Sequence, residues 1–279
     1  MEARTFWQRY RANRGAVLGL GLFALVAATA IVGPLIYRTD PWALVTRPFL
    51  WPGDRAGFPL GSDAMGRDVL AGLIHGAYVS LIVGLAASAA AMGLGVTIGA
   101  VAGYFRGWID DALMRLTEVF QTVPNFILVI VLVAIFKPSI GKIVLAIGVV
   151  SWPPIARLVR AQFLSLRERE FVQSCVVVGM SEARIIWTQI LPNCLAPVIV
   201  LASILVATAI LVEAGLAFLG LGDPSVMSWG KMIGEGRGSL RTAWYLSALP
   251  GGAIVLTVLG LNLVGEGLND AFNPRLKDR

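Results

Sequence analysis

Long stretches without a charged residue alternate with short polar segments along the whole chain. A helix needs about 20 predominantly apolar residues to cross the hydrocarbon core of a bilayer, so the pattern predicts six membrane-crossing helices. The fourth stretch is the shortest, and we expect Arg157 and Arg160 to extend it, with their charged ends at the membrane surface. The uncharged stretches are 15–37, 69–105 (interrupted by His75), 119–136, 143–156, 185–222 (interrupted by Glu213) and 242–265.

Composition supports this interpretation. Hydrophobic residues make up 57% of the 279 positions, charged residues only 14%, and the mean hydropathy is +0.76. A soluble domain is typically about half apolar and a quarter charged. We therefore expect an all-α integral membrane protein.

The net charge of +6 comes from basic residues that form no single cluster, which argues against a nucleic-acid-binding surface. They lie between the apolar stretches, as expected for residues that flank membrane crossings. Membrane proteins carry an excess of Lys and Arg on the cytoplasmic side, and this distribution favours a cytoplasmic location for both termini. The residues assigned to that side are Arg4, Arg9, Arg11, Arg14, Arg106, Arg115, Arg157, Arg160, Arg167, Arg169, Arg184, Arg275, Lys277 and Arg279.

The polar segments divide the chain into parts. The first, 1–14, predicts an amphipathic segment on the inner membrane surface, with a disordered tail as the alternative. The next, 15–37, has features of a signal peptide, but its apolar run is long and further apolar stretches follow, so we expect an uncleaved first helix. The remaining parts are an outside loop at 38–75, a core of five helices at 76–272 with a cytoplasmic loop at 164–193, and a cytoplasmic tail at 273–279.

Glycine and proline residues predict local features within the core. Gly95, Gly99 and Gly103 share one helix face, and small residues let helix backbones approach closely in lipid. Pro124 predicts a kink in the third crossing, and Trp152-Pro153-Pro154 a distortion of the fourth.

The segment 164–193 does not resemble a membrane crossing. Phe171, Cys175 and Val178 lie on one face of its first predicted helix, and Gly179 stands where a left-handed C-terminal cap is needed. Ser181 can cap a second helix, which Pro192 is expected to end. Two short helices that meet at a glycine could form a projection for a partner protein to push on. The alternative is an amphipathic loop that packs on its own bundle.

This segment resembles the cytoplasmic EAA loop of ABC importer permeases, which docks a coupling helix on the ATPase subunit. The similarity rests on Gly179, on its spacing to Leu191-Pro192, and on Asn193. It departs where the family usually has two alanines, since Ser174 and Cys175 stand there.

Other motifs narrow the resemblance to the dipeptide/oligopeptide permease family, and within it to the C-type transmembrane subunit. They extend over nearly the whole chain and are specific in combination. The motifs are the stretch from Pro59 to Leu70 with Gly76-Ala77 and Ser80-Leu81, Gly103-Tyr104-Phe105 with Gly107 to Asp110, Phe218 to Gly222 with Ser228-Trp229-Gly230, and Asn262 to Asp270 with Asn273 to Leu276.

The resemblance implies a type I ABC importer (MetI-like) permease fold with cytoplasmic coupling helices, in the bacterial plasma (inner) membrane. It also implies a B-type permease partner, two ATP-binding subunits and an external solute-binding protein. The cargo would be dipeptides, oligopeptides or a related solute such as a nickel chelate, glutathione or an opine.

Candidate functional residues follow from position. Asp63, Arg67 and Asp68 could contact the binding protein, although capping of the next helix is the simplest role for Asp68. Glu213 could face the pathway or make a hydrogen bond within the bundle, and Glu118 could pair with Arg115. The coupling residues implied by the resemblance are Glu170, Phe171, Ser174, Cys175, Gly179, Met180, Leu191 and Pro192.

Several function classes find little support in the sequence. One histidine and two separated cysteines offer no zinc-type ligand cluster, and we expect no cofactor. The chain has no G-x-x-x-x-G-K-[ST] phosphate loop, so ATP hydrolysis must come from partners. A secondary transporter would place more ionisable residues at mid-membrane, an intramembrane enzyme would need a catalytic set, and a membrane scaffold stays open.

Overall fold

The computed structural model describes residues 6–272, which are helical apart from their connections and two isolated β-bridges. A π-helical turn at Ile186–Ile190 joins α9 to α10, and a 3₁₀ turn at Arg237–Ser239 follows α11. The α-helices are α1 (Phe6–Ala12), α2 (Arg14–Ile36), α3 (Val69–Phe105), α4 (Gly107–Thr122), α5 (Asn125–Phe136), α6 (Ile140–Ser151), α7 (Pro153–Arg167), α8 (Glu170–Val177), α9 (Glu182–Ile185), α10 (Leu191–Phe218), α11 (Trp229–Gly236) and α12 (Tyr245–Phe272).

Four of the six predicted crossings correspond to long, continuous apolar helices, and the other two correspond to bent pairs. By length and composition, 4 helices of the described chain can cross a membrane, or up to 6 if each bent pair is one span. The bent pairs are α4 with α5, at 83°, and α6 with α7, at 44°. One end of the bundle carries the segments 37–68 and 219–244, and we name it the loop end. The other end carries α1, Arg106 and α8, and we name it the elbow end.

Both bends occur at the prolines that the sequence pointed to. Val123 is extended, with φ −96° and ψ 132°, because the ring of Pro124 disfavours a helical residue before it. The helix is therefore interrupted between α4 and α5, which is a larger change than the predicted kink. At the second bend Trp152 keeps helical angles, and Pro153 and Pro154 begin α7, where their missing N–H groups cost no hydrogen bond.

The expectation that Pro192 ends a helix is wrong. The chain stays helical from Glu182 to Phe218, with Pro192 in the first turn of α10. The π-helical turn before it changes the hydrogen-bond spacing, so the chain accommodates a residue without an N–H.

The glycine face of α3 packs against α7. A Cβ atom added at Gly95 would lie 2.6 Å from Cβ of Ile155, and one added at Gly103 would lie 2.6 Å from Cβ of Phe163. At Gly99 it would meet the carbonyl oxygen of Ala156. These distances are too short for a side chain, so α3 and α7 pack in backbone-to-backbone contact over two turns.

The N-terminal segment is helical and packs on the end of α12. The rings of Phe6 and Phe272 lie 5.0 Å apart, and the buried Tyr10 donates a hydrogen bond to the carbonyl of Ala16. Asn13 caps α2 and also donates to Asp270 at 2.7 Å. A disordered tail therefore does not describe residues 6–12. The predicted cytoplasmic tail, 273–279, lies outside the described residues.

At the loop end, the long segment before α3 folds onto the start of α12. The hydroxyl of Tyr245 lies 2.9 Å from the carbonyl oxygen of Leu50 and 2.8 Å from that of Ser62. The Trp51 ring packs at 5.3 Å from the Tyr245 ring. These contacts make the segment an ordered platform on the bundle.

Candidate functional site

Helices α8 and α9 meet at a sharp turn, which we call the elbow (170–185). Gly179 has φ +80°, and the N–H groups of Gly179 and Met180 donate to the carbonyls of Val176 and Cys175 at 2.9 and 3.0 Å. This pair of hydrogen bonds is the Schellman arrangement, which ends a helix at a left-handed residue. The predicted cap at Gly179 is confirmed. Ser181 occupies the N-cap position of α9, but its side chain makes no capping hydrogen bond.

One face of the elbow and of the turn after it packs on the bundle. Val172, Ile185 and Ile190 are fully buried in a cluster with residues of α3, α7 and α10. Cys175, Met180 and Leu191 are partly buried against the same cluster. This face fixes the elbow relative to the membrane helices.

The opposite face is exposed although it is apolar. Val177 and Val178 are 88% and 84% exposed, and Phe171 and Trp187 are exposed as well. Exposed apolar side chains grouped in one short segment mark a protein or membrane contact. Val177, Val178 and Trp187 were missed as candidates, although three valines in succession before a glycine were a usable signal. Among the predicted coupling residues, Glu170, Ser174, Gly179 and Pro192 are also exposed.

An ion pair joins α7, which leads into the elbow, to α4. The Arg160 side chain donates from Nε to Asp110 Oδ1 at 2.5 Å and from Nη2 to Oδ2 at 2.6 Å. The Asp110 side chain is 10% exposed and that of Arg160 34%. Two parallel contacts fix orientation as well as distance. Arg160 therefore has a structural partner and does not simply extend to the membrane surface.

Two more arginines join the turn between α3 and α4 to the end of α7. Arg106 Nη2 lies 2.5 Å from Glu168 Oε1, and Arg167 donates to the carbonyl of Tyr104 and lies 5.0 Å from the centre of its ring. Arg106 itself has φ +59°, a conformation that non-glycine residues rarely adopt. The elbow is thus attached through α7 to both α3 and α4.

Glu213 is buried inside the bundle. It is 3% exposed, and Ser80 on α3 donates a hydrogen bond to its Oε2 at 3.4 Å. Gly230 of α11 packs close to the neighbouring Ala214, since a Cβ atom there would lie 2.5 Å from its Cα. Glu213 therefore makes a hydrogen bond between α10 and α3, which is one of the two roles considered for it.

The predicted pair between Glu118 and Arg115 is not formed. Among the ion pairs of residues 6–272, neither side chain takes part, and both are exposed on α4. Because α4 turns away from α5 at the break, the side of α4 that bears Glu118 is exposed within residues 6–272.

Asp68 caps α3, as its position suggested. Its carboxylate accepts from the N–H groups of Leu70 and Ala71 at 2.8 and 3.4 Å and from the hydroxyl of Tyr37. Burial and the neighbouring Asp68 carboxylate raise the pKa of Tyr37 to about 12. Since Asp68 is 2% exposed, its side chain is not available to a separate protein.

Arg67 is also used within the chain. Its guanidinium lies 3.1 Å from Glu235 Oε2 and 3.7 Å from Asp63 Oδ2, and it lies 5.0 Å from the centre of the Trp42 ring. Lys231 contacts the same ring at 4.3 Å. Of the three acid and base candidates before α3, Asp63 is the most accessible.

Metal chemistry receives no support from the described residues, which contain no group of three His, Cys, Asp or Glu side chains able to hold an ion. Cys175 and Cys194 are free. The Nε2 atom of His75 is buried and has no hydrogen-bond partner within the described chain.

Two family descriptions match this chain. Residues 95–278 match the binding-protein-dependent transport system inner membrane component, and residues 3–53 match the N-terminal transmembrane domain of oligopeptide transport permease C. Together the two matches include the elbow and the α1–α2 segment.

Curated relatives align over nearly their full length. The di/tripeptide transport system permease protein DppC of Pseudomonas aeruginosa is 37% identical, over 99% of this chain and 93% of the relative. The oligopeptide transport system permease protein OppC of Escherichia coli is 38% identical, over 100% and 94%. A chain of the MetNI methionine ABC transporter in an inward-facing conformation has a TM-score of 0.59 at 16% identity, covering 70% of this chain and 93% of that one, which supports the fold.

Proposed function

The chain belongs to the family of binding-protein-dependent transport system inner membrane components, and we propose that it forms half of the translocation pathway of an importer for dipeptides and oligopeptides. Members of this family are non-catalytic membrane subunits of ABC importers, and ATP hydrolysis is performed by partner ATPases. Peptide cargo is supported by the names of the full-length relatives.

The observation that carries the proposal is the exposed apolar face of the elbow. Val177 and Val178 project from the bundle, and the buried Val172 and Ile185 hold the same segment against it. A surface that is apolar, exposed and rigidly attached suits a partner that pushes on it. We assign this surface to an ATPase subunit, with Val177, Val178 and Trp187 added to the coupling residues named from the sequence.

The orientation follows from charge. A small majority of the Lys and Arg residues within 6–272 lie at the elbow end, including Arg106, Arg160 and Arg167. By the positive-inside tendency this end faces the cytoplasm, together with both termini. The loop end then faces outward, where a solute-binding protein would dock and where the accessible Asp63 is a candidate contact. A B-type permease completes the pathway, and Glu118, on an exposed side of α4, is a candidate pathway residue.

Reconstitution tests this proposal. The chain is co-expressed with a B-type permease, ATPase subunits and a solute-binding protein from the same organism, and uptake into proteoliposomes is measured with labelled dipeptides, glutathione, a nickel chelate and an opine. We expect dipeptide uptake that requires ATP and the binding protein. Uptake of only a non-peptide solute would refute the peptide cargo. Uptake by this chain alone, driven by an ion gradient, would refute the importer assignment.

A further inference from the structure

A cavity of about 230 Å³ opens at the loop end, between the start of α3, the segment before it, α11 and the start of α12. Its deep part is apolar, because Val69, Met227 and Leu246 line it and are almost fully buried. Gly72 also lines it, and a Cβ atom there would lie 3.0 Å from Cε of Met232. At the mouth, Met65 is 59% exposed.

The mouth of the cavity carries an excess of negative charge. Among the described residues, Arg67 is the one basic side chain that lines it, and it lies between the carboxylates of Asp63 and Glu235, at 3.7 and 3.1 Å. The Glu235 side chain is 42% exposed, so it can accept another partner. Lys231 lies nearby on α11 and its charge interacts with Glu235, but it does not line the cavity and its ammonium donates to the carbonyl of Pro224 at 2.8 Å.

The volume of the cavity and the side chains that line it limit which molecules can bind there. Pockets for drug-sized ligands measure about 300–1,000 Å³, so a cavity of about 230 Å³ takes a single residue and excludes a whole oligopeptide. Met65, Met227 and Met232 supply flexible, polarisable walls. Such walls adapt to apolar groups of different shape, as an importer of varied peptides requires.

We infer that this cavity binds the amino-terminal residue of the transported peptide as it enters from the binding protein. The apolar side chain enters the methionine-lined part, and the α-ammonium group meets Glu235 and Asp63 at the mouth. This inference rests on the proposed peptide cargo. The loop end of this subunit would then select peptides by the side chain of their amino-terminal residue. This selection would be separate from that made by the binding protein.

The test compares two dipeptides of the same composition. Uptake by the reconstituted complex is measured for Leu-Ala and Ala-Leu at saturating, peptide-loaded binding protein, in the wild type and in Gly72→Leu, which fills the deep part. We expect Gly72→Leu to reduce Leu-Ala uptake by about tenfold, the discrimination typical of one apolar pocket. Ala-Leu uptake should stay within about twofold. Peptide affinity of the separate binding protein serves as the control and should not change.

Other outcomes contradict the inference in different ways. An equal loss for both peptides would mean that the cavity is a structural element or receives a side chain of the binding protein, and unchanged uptake of both would mean that it stays empty. If the wild-type complex takes up neither peptide, the proposed cargo itself fails.

A second variant protects the test if Gly72→Leu does not assemble. Glu235→Gln keeps an acceptor for Arg67 but removes the charge for the α-ammonium group, so we expect uptake of both peptides to fall and Glu235→Asp to restore it. The matched control is Asp54→Asn, an exposed loop acid outside the cavity. Unchanged uptake in Glu235→Gln, or no recovery in Glu235→Asp, would overturn the assignment of the ammonium group.

Discussion

Arg160 and Asp110 are separated by 50 residues in sequence, yet their side chains form a two-point contact at 2.5 and 2.6 Å near the elbow end of the bundle. The pair joins α7, whose last turn leads into the elbow, to α4, which ends at the break before Pro124. It therefore connects the surface assigned to the ATPase with the most strongly bent part of the membrane domain.

Breaking this pair should reduce transport more than ATP hydrolysis. In Asp110→Asn the partly buried guanidinium loses its charged partner, at a cost of about 1–3 kcal/mol, and α4 is no longer held to α7. We expect lower thermal stability of the purified complex and fewer peptides transported per ATP hydrolysed. The exposed pair of Arg47 and Asp54, at 3.9 Å, supplies the control: Asp54→Asn should change neither quantity. If Asp110→Asn transported as many peptides per ATP hydrolysed as the wild type, this role would be contradicted.

A charge on the exposed apolar face should prevent ATPase binding without unfolding the chain. Val177 is 88% exposed, so Val177→Asp buries no charge in the free subunit. In the complex the carboxylate must lose its water. We expect the affinity for the ATPase subunits, measured by co-purification and titration, to fall by about tenfold or more, which corresponds to about 1.4 kcal/mol.

The same substitution at Val45, an exposed valine of the loop end, is the matched control and should leave ATPase binding unchanged. Equal binding by Val177→Asp and the wild type would exclude this face of the elbow from the interface.

The effect of a substitution at Gly179 should depend on the backbone conformation of this residue and not on the space around it. No atom lies within 4 Å of a Cβ placed there, but φ is +80°. Gly179→Ala should destabilise the elbow by about 1–2 kcal/mol, and Gly179→Asn should cost less because asparagine tolerates this region. Hydrogen exchange of the elbow amides and the ratio of transport to ATP hydrolysis measure the effect. Equal behaviour of the two variants would show that the turn is not limiting.

Glu213 should act as a hydrogen-bonding group. Glu213→Gln keeps an oxygen for the Ser80 hydroxyl, so we expect uptake close to that of the wild type. Glu213→Leu leaves Ser80 buried without a partner, at about 1–3 kcal/mol, and should lower the yield of folded protein. Measurements of uptake and of the melting temperature in detergent compare the two variants. A large loss of uptake in Glu213→Gln at normal stability would favour the pathway role.

The contact between Tyr37 and Asp68 predicts a dependence on high pH. The pKa of Tyr37 is about 12 in the folded chain and 10.0 for an ordinary tyrosine. The neutral phenol is therefore favoured by folding, and its stabilising contribution is complete below pH 10 and lost as the pH rises towards 12.

Ultraviolet titration should show one fewer late-ionising tyrosine in Tyr37→Phe than in the wild type. The phenylalanine variant should also lose less stability between pH 10 and 12 than the wild type. Identical titration curves for the two proteins would contradict the contact.

The sequence predicted those parts of the fold that depend on local chemistry. Apolar runs predicted the helices, Gly179 predicted the left-handed turn, and Pro124 predicted a kink where the structure has a full break. The continuation through Pro192 was missed because a π-helical turn leaves no pattern in hydrophobic periodicity.

The long-range contacts were missed for a different reason. Tyr245 meets the carbonyls of Leu50 and Ser62, more than 180 residues away in sequence, and nothing local to either partner specifies the other. The same holds for Arg160 and Asp110, and for the cavity, whose walls come from four separate segments. Val177 and Val178 are exposed because of the orientation of the elbow on the bundle. Burial of Val172, on the opposite face of the elbow, fixes that orientation.

The glycine contacts between α3 and α7 restrict how the subunit can change shape during a transport cycle. With Gly99 and Gly103 against the α7 backbone, neither helix can rotate or slide past the other without a steric clash. A displacement delivered at Val177 must therefore carry α3 and α7 together, as one rigid body, as far as the Asp68 cap at the opposite membrane surface. Val123-Pro124, where the backbone is already extended and α4 and α5 meet at 83°, lies outside this rigid pair and is a point at which the subunit can bend.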